Sequence, residues 1–482
     1  MKKNIYFTFL IVSTIVFQHL GAQESKKWVL GYLPTYHQGG NGNVGALNDF
    51  DFARLTHIGH HGPYLHADGS LDYDANACTT QRMAGAVLAS HARNKPILLS
   101  IVSWVSYMEA LGTPAKRTVC INELLHLIDT YGYDGIDVDL EPVMSPYVAG
   151  MQTDNPVYFA FVNQLFDSLS VRHNAMLNRQ PLLTAAVNSY GAFILKKLES
   201  KFDMMNIMTY DMTNGWVDYN NFTWHDSPVY DYNSNGWPSV HNMVQEMLRG
   251  GIAASKIGIG ISFDAFRWQG GSGTATGGVT APAQTYTTKP SWTRFSYEDM
   301  MDNIFNSAYY HWDNVAKMSY LSINNATNAN DQFWSYNDEA SCQAKAEYVL
   351  NNNLGGVIIW ELYLGLRGSF PAENHIPQLK ATWDALSASS IAINNDKNVK
   401  VQVSPNPIQN NFTVQFNKPI DKNLMIELFD FTGREILIKS TLSSNPTVVE
   451  IFIPNLISNG IYILKYRNKT EIGSEKLIKL GE

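Results

Sequence analysis

The stretch "YGYDGIDVDLEPV", residues 131–143, carries three acids, Asp137, Asp139 and Glu141, two positions apart in an otherwise apolar run, with Asp134 just ahead of them. Side chains alternate faces along a strand, so these three acids share one face while Val138 and Leu140 share the other. An apolar back and an acidic front suit the wall of a β/α barrel. There the back packs against an outer helix, and the acids point inward and up toward the C-terminal mouth, where catalytic groups of such barrels gather. Pro142 has no N–H and ends the run. Glu141, the last acid before that end, is nearest the mouth. Neighbouring acids on this face lie about 6–7 Å apart, close enough for their charges to oppose and raise at least one pKa. One carboxyl then stays protonated near neutral pH and can serve as a general acid. A solvated charged strand would also alternate, but without the apolar back. Three carboxylates also suit magnesium or calcium; no helper histidine follows, and neither a metal nor a cofactor is expected.

Seven similar runs surround this one: 28–33, 54–60, 96–102, 182–188, 203–210, 256–262 and 355–361, this one spanning 133–140. Helical patterns separate several of them, such as "INELLHLIDTYG" (121–132), with Leu124, Leu125 and Ile128 on one face and a glycine at its end, and "AFVNQLFDSLSVR" (160–172). Strand–helix alternation means parallel strands with crossover helices. Eight runs predict an α/β fold, an eight-stranded (β/α)8 TIM barrel over residues 23–386, with an open doubly wound sheet as the alternative. No glycine-rich phosphate loop follows the first run, so nucleotide binding has no support.

The seventh and eighth runs stand about 90 residues apart, too far for one helix, so an insertion is expected at about 264–354. It opens on "GGSGTATGGVTAPAQTYTTKP" (270–290), read as a flexible stretch, and closes on a turn and helix before the eighth run. Residues 387–399 are small and polar, a linker. From 400 to 482 short strand patterns recur every 8–12 residues, a small all-β sandwich in which no chemistry is expected.

The net charge of −8, without a basic stripe, makes nucleic acid a poor partner. The 25 Tyr and 11 Trp suit large cores and equally a sugar-binding cleft. Residues 1–22 read as a secretory signal: Lys2 and Lys3, an apolar stretch from Ile5 to Phe17, then Gly21-Ala22. The stretch is short for a membrane span, and the expected location is extracellular or the outer-membrane surface. Cys78, Cys120 and Cys342 allow at most one disulfide, with Cys78–Cys120 the expected pair and three buried free thiols the alternative.

"DGIDVDLE" (134–141) resembles the D-G-x-D-x-D-x-E signature of glycoside hydrolase family 18, the chitinases and related endo-β-N-acetylglucosaminidases. In order along the chain, "LLSIVSW" (98–104), "MTYD" (208–211) and "GGVIIWEL" (355–362) are similar to the family's third, sixth and eighth strands. The resemblance covers about residues 27–385 and implies a substrate-assisted mechanism that retains configuration. Glu141 would protonate the glycosidic oxygen, and the substrate's 2-acetamido oxygen would attack the anomeric carbon. Asp139 would bind the acetamido N–H, with Asp137 beneath it. Tyr210 would hold the acetamido oxygen, Asp211 would bind sugar and Trp360 would floor the ring. Tyr32, Trp104 and Met208 complete the expected substrate-binding set, and Asp134 is structural. The implied partner is chitin or another N-acetylglucosamine oligosaccharide, cleaved by a monomer. An enzyme of the N-glycan chitobiose core and a non-hydrolytic lectin are the alternatives; lectins of this fold typically lose the final acid or its Asp neighbour, and both are present here.

Two stretches depart from the family pattern. Ser100-Ile101-Val102-Ser103 stands where a glycine pair is usual, which places side chains near the acids. "GIGISFDAFRW" (258–268) lacks the Pro-Phe-Tyr-Gly-Arg run, and Arg267 is the candidate replacement for that arginine. The insertion resembles a reduced form of the family's α+β insertion. The tail, through "VSPNP" (403–407), "LFDFTGREI" (428–436) and "NGIYILKY" (459–466), resembles the sorting domains of the type IX secretion system, whose machinery would be a second partner.

Overall fold

The computed structural model describes residues 27–38, 51–74, 77–103, 106–140, 155–213, 221–232, 236–325, 327–368, 374–388, 401–416, 420, 424–430, 435–453, 457–467 and 472–479. The expected signal, most of the expected linker, Trp104 and Glu141 lie outside the described residues. The chain divides into two compact units, Met1–Ser387 and Ala388–Glu482.

In the first unit eight parallel strands close on themselves: β1 (Trp28–Pro34), β2 (His57–Leu65), β3 (Ile97–Val102), β4 (Gly135–Asp139), β5 (Leu182–Val187), β6 (Met204–Ile207), β7 (Ile257–Ser262) and β8 (Gly356–Trp360). Each pairs with its sequence neighbour, and β1 pairs with both β2 and β8, which seals the barrel. Strand alternation sorts the side chains into two cores. Ile136 and Val138 face outward into a large apolar layer shared with the helices. Leu30, Tyr32, Leu98, Leu182, Met204 and Ile358 fill the lower interior.

Local sequence sets the ends of the elements. Helix Pro114–Tyr131 starts at Thr113, whose side chain accepts from Lys116 N. It stops at Gly132, whose φ of 86° is the left-handed conformation that glycine adopts without penalty. Asp134 then works at the barrel floor, as expected of a structural acid. Its carboxylate accepts from Ile97 N (2.8 Å), His91 Nε2 (2.8 Å) and Asn174 Nδ2 (2.8 Å), tying β3, a helix and the β5 approach to the start of β4. The second run begins later than expected, because Asp51 caps a short turn over Phe52–Arg54 and the strand starts at His57.

Between β7 and β8 lies a five-stranded antiparallel sheet, Asp264–Gln269, Ser291–Ser296, Tyr310–Asp313, Met318–Ile323 and Gln332–Tyr336, with helix Tyr297–Asn303. The 270–290 stretch is not the loose segment its composition suggested. Asp331 accepts from Gly278 N (2.9 Å), Gln284 Oε1 accepts from Thr280 N (2.6 Å) and Ala281 N (2.9 Å), and Val279 and Tyr286 pack against Trp268 and Phe333. Polar side chains thus satisfy a backbone that small residues leave exposed. The expected cysteine pair is also corrected: all three thiols are free and buried in apolar surroundings, and burial pushes Cys78 up to about 11.

The second unit holds two four-stranded antiparallel sheets around a core that includes Phe412, Val414, Leu428, Ile451 and Leu464, the sandwich expected from its strand spacing. Among the described residues no helix is long and apolar enough to cross a membrane.

Gly135 shows why the acidic stretch carries a glycine. A Cβ there would stand 2.3 Å from Leu182 O and 2.8 Å from Leu182 N, on the adjacent strand. Gly135→Ala should therefore cost about 1–3 kcal/mol, as overpacking does, measured as a lower denaturant midpoint. An unchanged midpoint would show that β4 and β5 can separate freely.

Candidate active site

Asp137 sits at the centre of the barrel, fully buried. Ser100, Asp137 and Thr184 share one register level on β3, β4 and β5. The carboxylate accepts from Tyr32 Oη (2.7 Å) and Ser100 Oγ (3.1 Å) at Oδ2 and from Thr184 Oγ1 (2.5 Å) at Oδ1. Burial raises its pKa, and the three hydroxyls pull the other way. Ser100, which opens the third-strand stretch where Val102 and Ser103 replace the usual glycine pair, is thus one of the three donors.

Asp139 stands one level higher, in register with Val102 and Ala186, and is 6% exposed at the base of an open cleft. The cleft has a volume of about 1310 Å³; Asp139, Met208, Tyr210, Asp211 and Trp360, all named from sequence, line it. Val102 and Ser103 line it too, so the departure in the third strand does place side chains beside the acid. Trp360, at the end of β8, stands edge-on to Tyr32 (5.5 Å between centroids) and His61 (5.1 Å).

Tyr210 is placed from below. A side chain at Gly260 would meet its ring at 2.5 Å, and Thr209 clamps Gly260 by donating to its O (2.7 Å) and accepting from its N (2.9 Å). Asp211 follows in a left-handed conformation with φ of 56°, one that Asp tolerates better than most residues.

Two sequence expectations move. Tyr32, expected to bind substrate, is 1% exposed and gives its hydroxyl to Asp137, so it supports the cleft from beneath. Arg267 is not the cleft arginine. It lies on the face of Thr293, to which it donates (3.3 Å), with its guanidinium over Phe295 and Trp334. Strand alternation instead turns Arg294, one residue beyond Thr293, into the cleft together with Trp292. Arg294 donates to Asp211 Oδ1. Nothing in the local pattern "SWTRFS" marks that arginine, because its partner lies 83 residues away.

Two further residues went unnoticed from sequence. His61 lines the cleft, and burial lowers it to about 4, so it is a neutral wall group at pH 7. Asp226 is buried behind Asp211, accepts from Ser262 Oγ (3.1 Å), and is pushed up to about 7 by burial and then by Asp211. Among the described residues no three His, Cys, Asp or Glu side chains converge as a metal set.

A family model described as glycosyl hydrolases family 18 matches residues 28–365, and one described as a secretion system C-terminal sorting domain matches 402–480. The chain belongs to glycosyl hydrolase family 18. It is 28% identical to Chitinase A1 of Niallia circulans over 298 residues, 56% of this chain and 40% of that protein. It is 24% identical to Chitinase B of Serratia marcescens over 379 residues, 64% of this chain and 73% of that protein. The chain spans less than half the length of Chitinase A1 and of a probable endochitinase of Caenorhabditis elegans, 40% and 43%. Among solved structures, a chitinase of Trichuris suis superposes with a TM-score of 0.61 at 21% identity, over 75% of this chain and 100% of that one. A family 18 N-acetylglucosaminidase of Paenibacillus barengoltzii does so with 0.59 at 22%, over 74% and 99%. These likenesses carry the barrel fold.

The Asp226 carboxyl yields a prediction with a definite sign. Its folded pKa is raised from 3.8 to about 7, so its contribution to stability is full below the unfolded value and lost as pH rises through about 7. Asp226→Asn has no such titration. Relative to wild type, the variant should gain about 1.4 kcal/mol per pH unit across that window and level off above it. Urea denaturation at several pH values reads this directly; parallel profiles would refute the shifted carboxyl.

Proposed function

We propose that this family 18 chain is an exported glycosidase that hydrolyses β-1,4 bonds next to N-acetylglucosamine in chitin or its oligosaccharides. The observation that carries the reading is the set Asp139, Tyr210, Asp211 and Trp360 around one cleft, with Asp137 buried beneath Asp139. Relatives named as chitinases support the substrate class.

In this reading the pyranose ring rests on Trp360, an apolar face that also excludes water from one side. Tyr210 and Asp139 then engage the 2-acetamido group from opposite ends. Tyr210 donates to its oxygen and holds it under the anomeric carbon, while Asp139 accepts from its N–H. As the oxygen attacks, positive charge spreads into the acetamido group, and the Asp139 carboxylate stabilises it. Asp137, held by three hydroxyls, fixes the polarity beneath Asp139. Glu141 protonates the leaving oxygen, then removes a proton from the water that opens the oxazolinium ion, so configuration is retained.

The sorting domain at 402–480 implies export. We read it as a type IX signal, removed on passage to the cell surface or beyond.

A product assay on chitooligosaccharides beside a high-mannose glycoprotein tests the substrate. Oligosaccharide cleavage is expected; glycan release with intact oligosaccharides would transfer the reading to N-glycan cores. Glu141→Gln should lower kcat by about 10²–10⁴-fold, the usual size of general acid catalysis, and leave oligosaccharide binding intact. Wild-type turnover in that variant would sink the acid assignment.

A further inference from the structure

Asp264 is separated from the end of β7 by Phe263 alone and opens the first strand of the insertion. Its side chain is 2% exposed, and its Oδ2 lies 3.6 Å from Arg294 Nη1. The other arm of the same guanidinium reaches Asp211 Oδ1, and its Cζ lies 4.8 Å from the centroid of the Phe266 ring. Strand register makes this meeting obligatory. Arg294 pairs across from Phe266 and Ser296 across from Asp264, so Arg294 and Asp264 stand two residues apart on one face of neighbouring strands. A guanidinium is a planar fork with donors pointing in two directions, so a single Arg294 spans a carboxylate at the barrel rim and another at the root of the insertion.

The charges leave Asp264 little alternative. Burial pushes the Asp264 carboxyl well above the usual carboxylate range and Asp211, Asp226 and Glu361 add to that, while Arg294 is the cation that draws it back toward its charged form. Oδ2 has no hydrogen-bond partner within the described residues, which leaves the Arg294 ion pair as its compensation. Burying a carboxylate costs several kcal/mol unless a partner offsets it. An acid at this position without a task would be a poor choice against glycine or an apolar residue.

Asp211 gains most from the pairing. It is 37% exposed on the cleft wall, and the Arg294 contact fixes its carboxylate in the turn after Tyr210. We infer that Asp264 is a positioning residue for the hydrolysis: it anchors Arg294, and Arg294 holds Asp211 at the sugar-binding wall. This rests on the glycosidase reading above. The role replaces the one assigned from sequence to Arg267 with an acid–arginine–acid bridge built from two strands.

The test is a double-mutant cycle on chitooligosaccharide hydrolysis with Asp264→Asn, Arg294→Ala and the pair. Each single change should raise KM about tenfold and leave kcat within about twofold, the signature of lost binding rather than lost chemistry. The pair should be no worse than Arg294→Ala alone, because Asp264 acts through Arg294. A wild-type KM in Asp264→Asn, a loss confined to kcat, or losses that add in the pair would each overturn the inference. Thermal midpoints are read alongside. If Asp264→Asn does not fold, Arg294→Lys decides: a point charge on one stem cannot span both carboxylates, so KM should again rise, and a wild-type KM there refutes the bridge. Wild-type turnover in the same assay separates the two claims. No cleavage of the oligosaccharide fails the glycosidase reading and this inference with it, whereas normal cleavage with unmoved variant KM values fails the inference alone.

Discussion

Everything at the mouth of this barrel depends on keeping one carboxylate in its centre. Asp137 has no solvent, and an unpaired charge in such surroundings would be neutralised or would unfold the strand that carries it. Tyr32 from β1, Ser100 from β3 and Thr184 from β5 converge on it, so three separate strands must be in register before the acid is satisfied. Barrel closure and polar satisfaction are therefore one event. The level above inherits the geometry: Asp139 emerges at the cleft floor because Asp137 is locked two residues below it.

The rim is built differently. It draws on segments distant in sequence, and charge rather than strand pairing ties them together. Asp211 sits at the end of the sixth-strand segment, Asp226 in the following loop, and Asp264 and Arg294 in the insertion. One guanidinium faces three carboxylates there, two of them buried, and burial pushes both buried acids upward. The insertion is thus more than a wall added to the cleft, since its second strand supplies the cation that fixes a barrel residue. On the other side the cleft wall is neutral and aromatic, with His61, Trp360 and Tyr36.

Much of this was legible in the residues. The eight strands, the inward acids and the capped helix Pro114–Tyr131 follow from alternation, apolar periodicity and a terminal glycine, all of which act over a few residues. The errors share a cause. Tyr32 is expected in the cleft, yet it lies inside β1, which runs on to Pro34, and its hydroxyl is drawn down by an acid 105 residues away. Arg267 reads as the cleft cation because it lies nearest the expected motif, and strand alternation turns it to the wrong face. The 270–290 stretch reads as loose because its residues are small, while Asp331 and Gln284 bind its backbone. Tyr32, the cleft arginine and Gly278 each answer to a partner far along the chain, which no local pattern encodes, whereas Gln284 binds backbone within its own stretch.

The sequence by itself determined the architecture and the chemical identity of the site, because a strand carries its own record of which face is apolar and where its acids fall. It determined that Asp137 and Asp139 follow one another on one face, and with them the direction from core to mouth. Only the tertiary structure decided which donors hold Asp137, which arginine meets Asp211, and which aromatic lies under the cleft rather than in it. Those choices turn on strand register around a closed barrel and on charges brought together from distant segments, and neither is written within reach of any single motif.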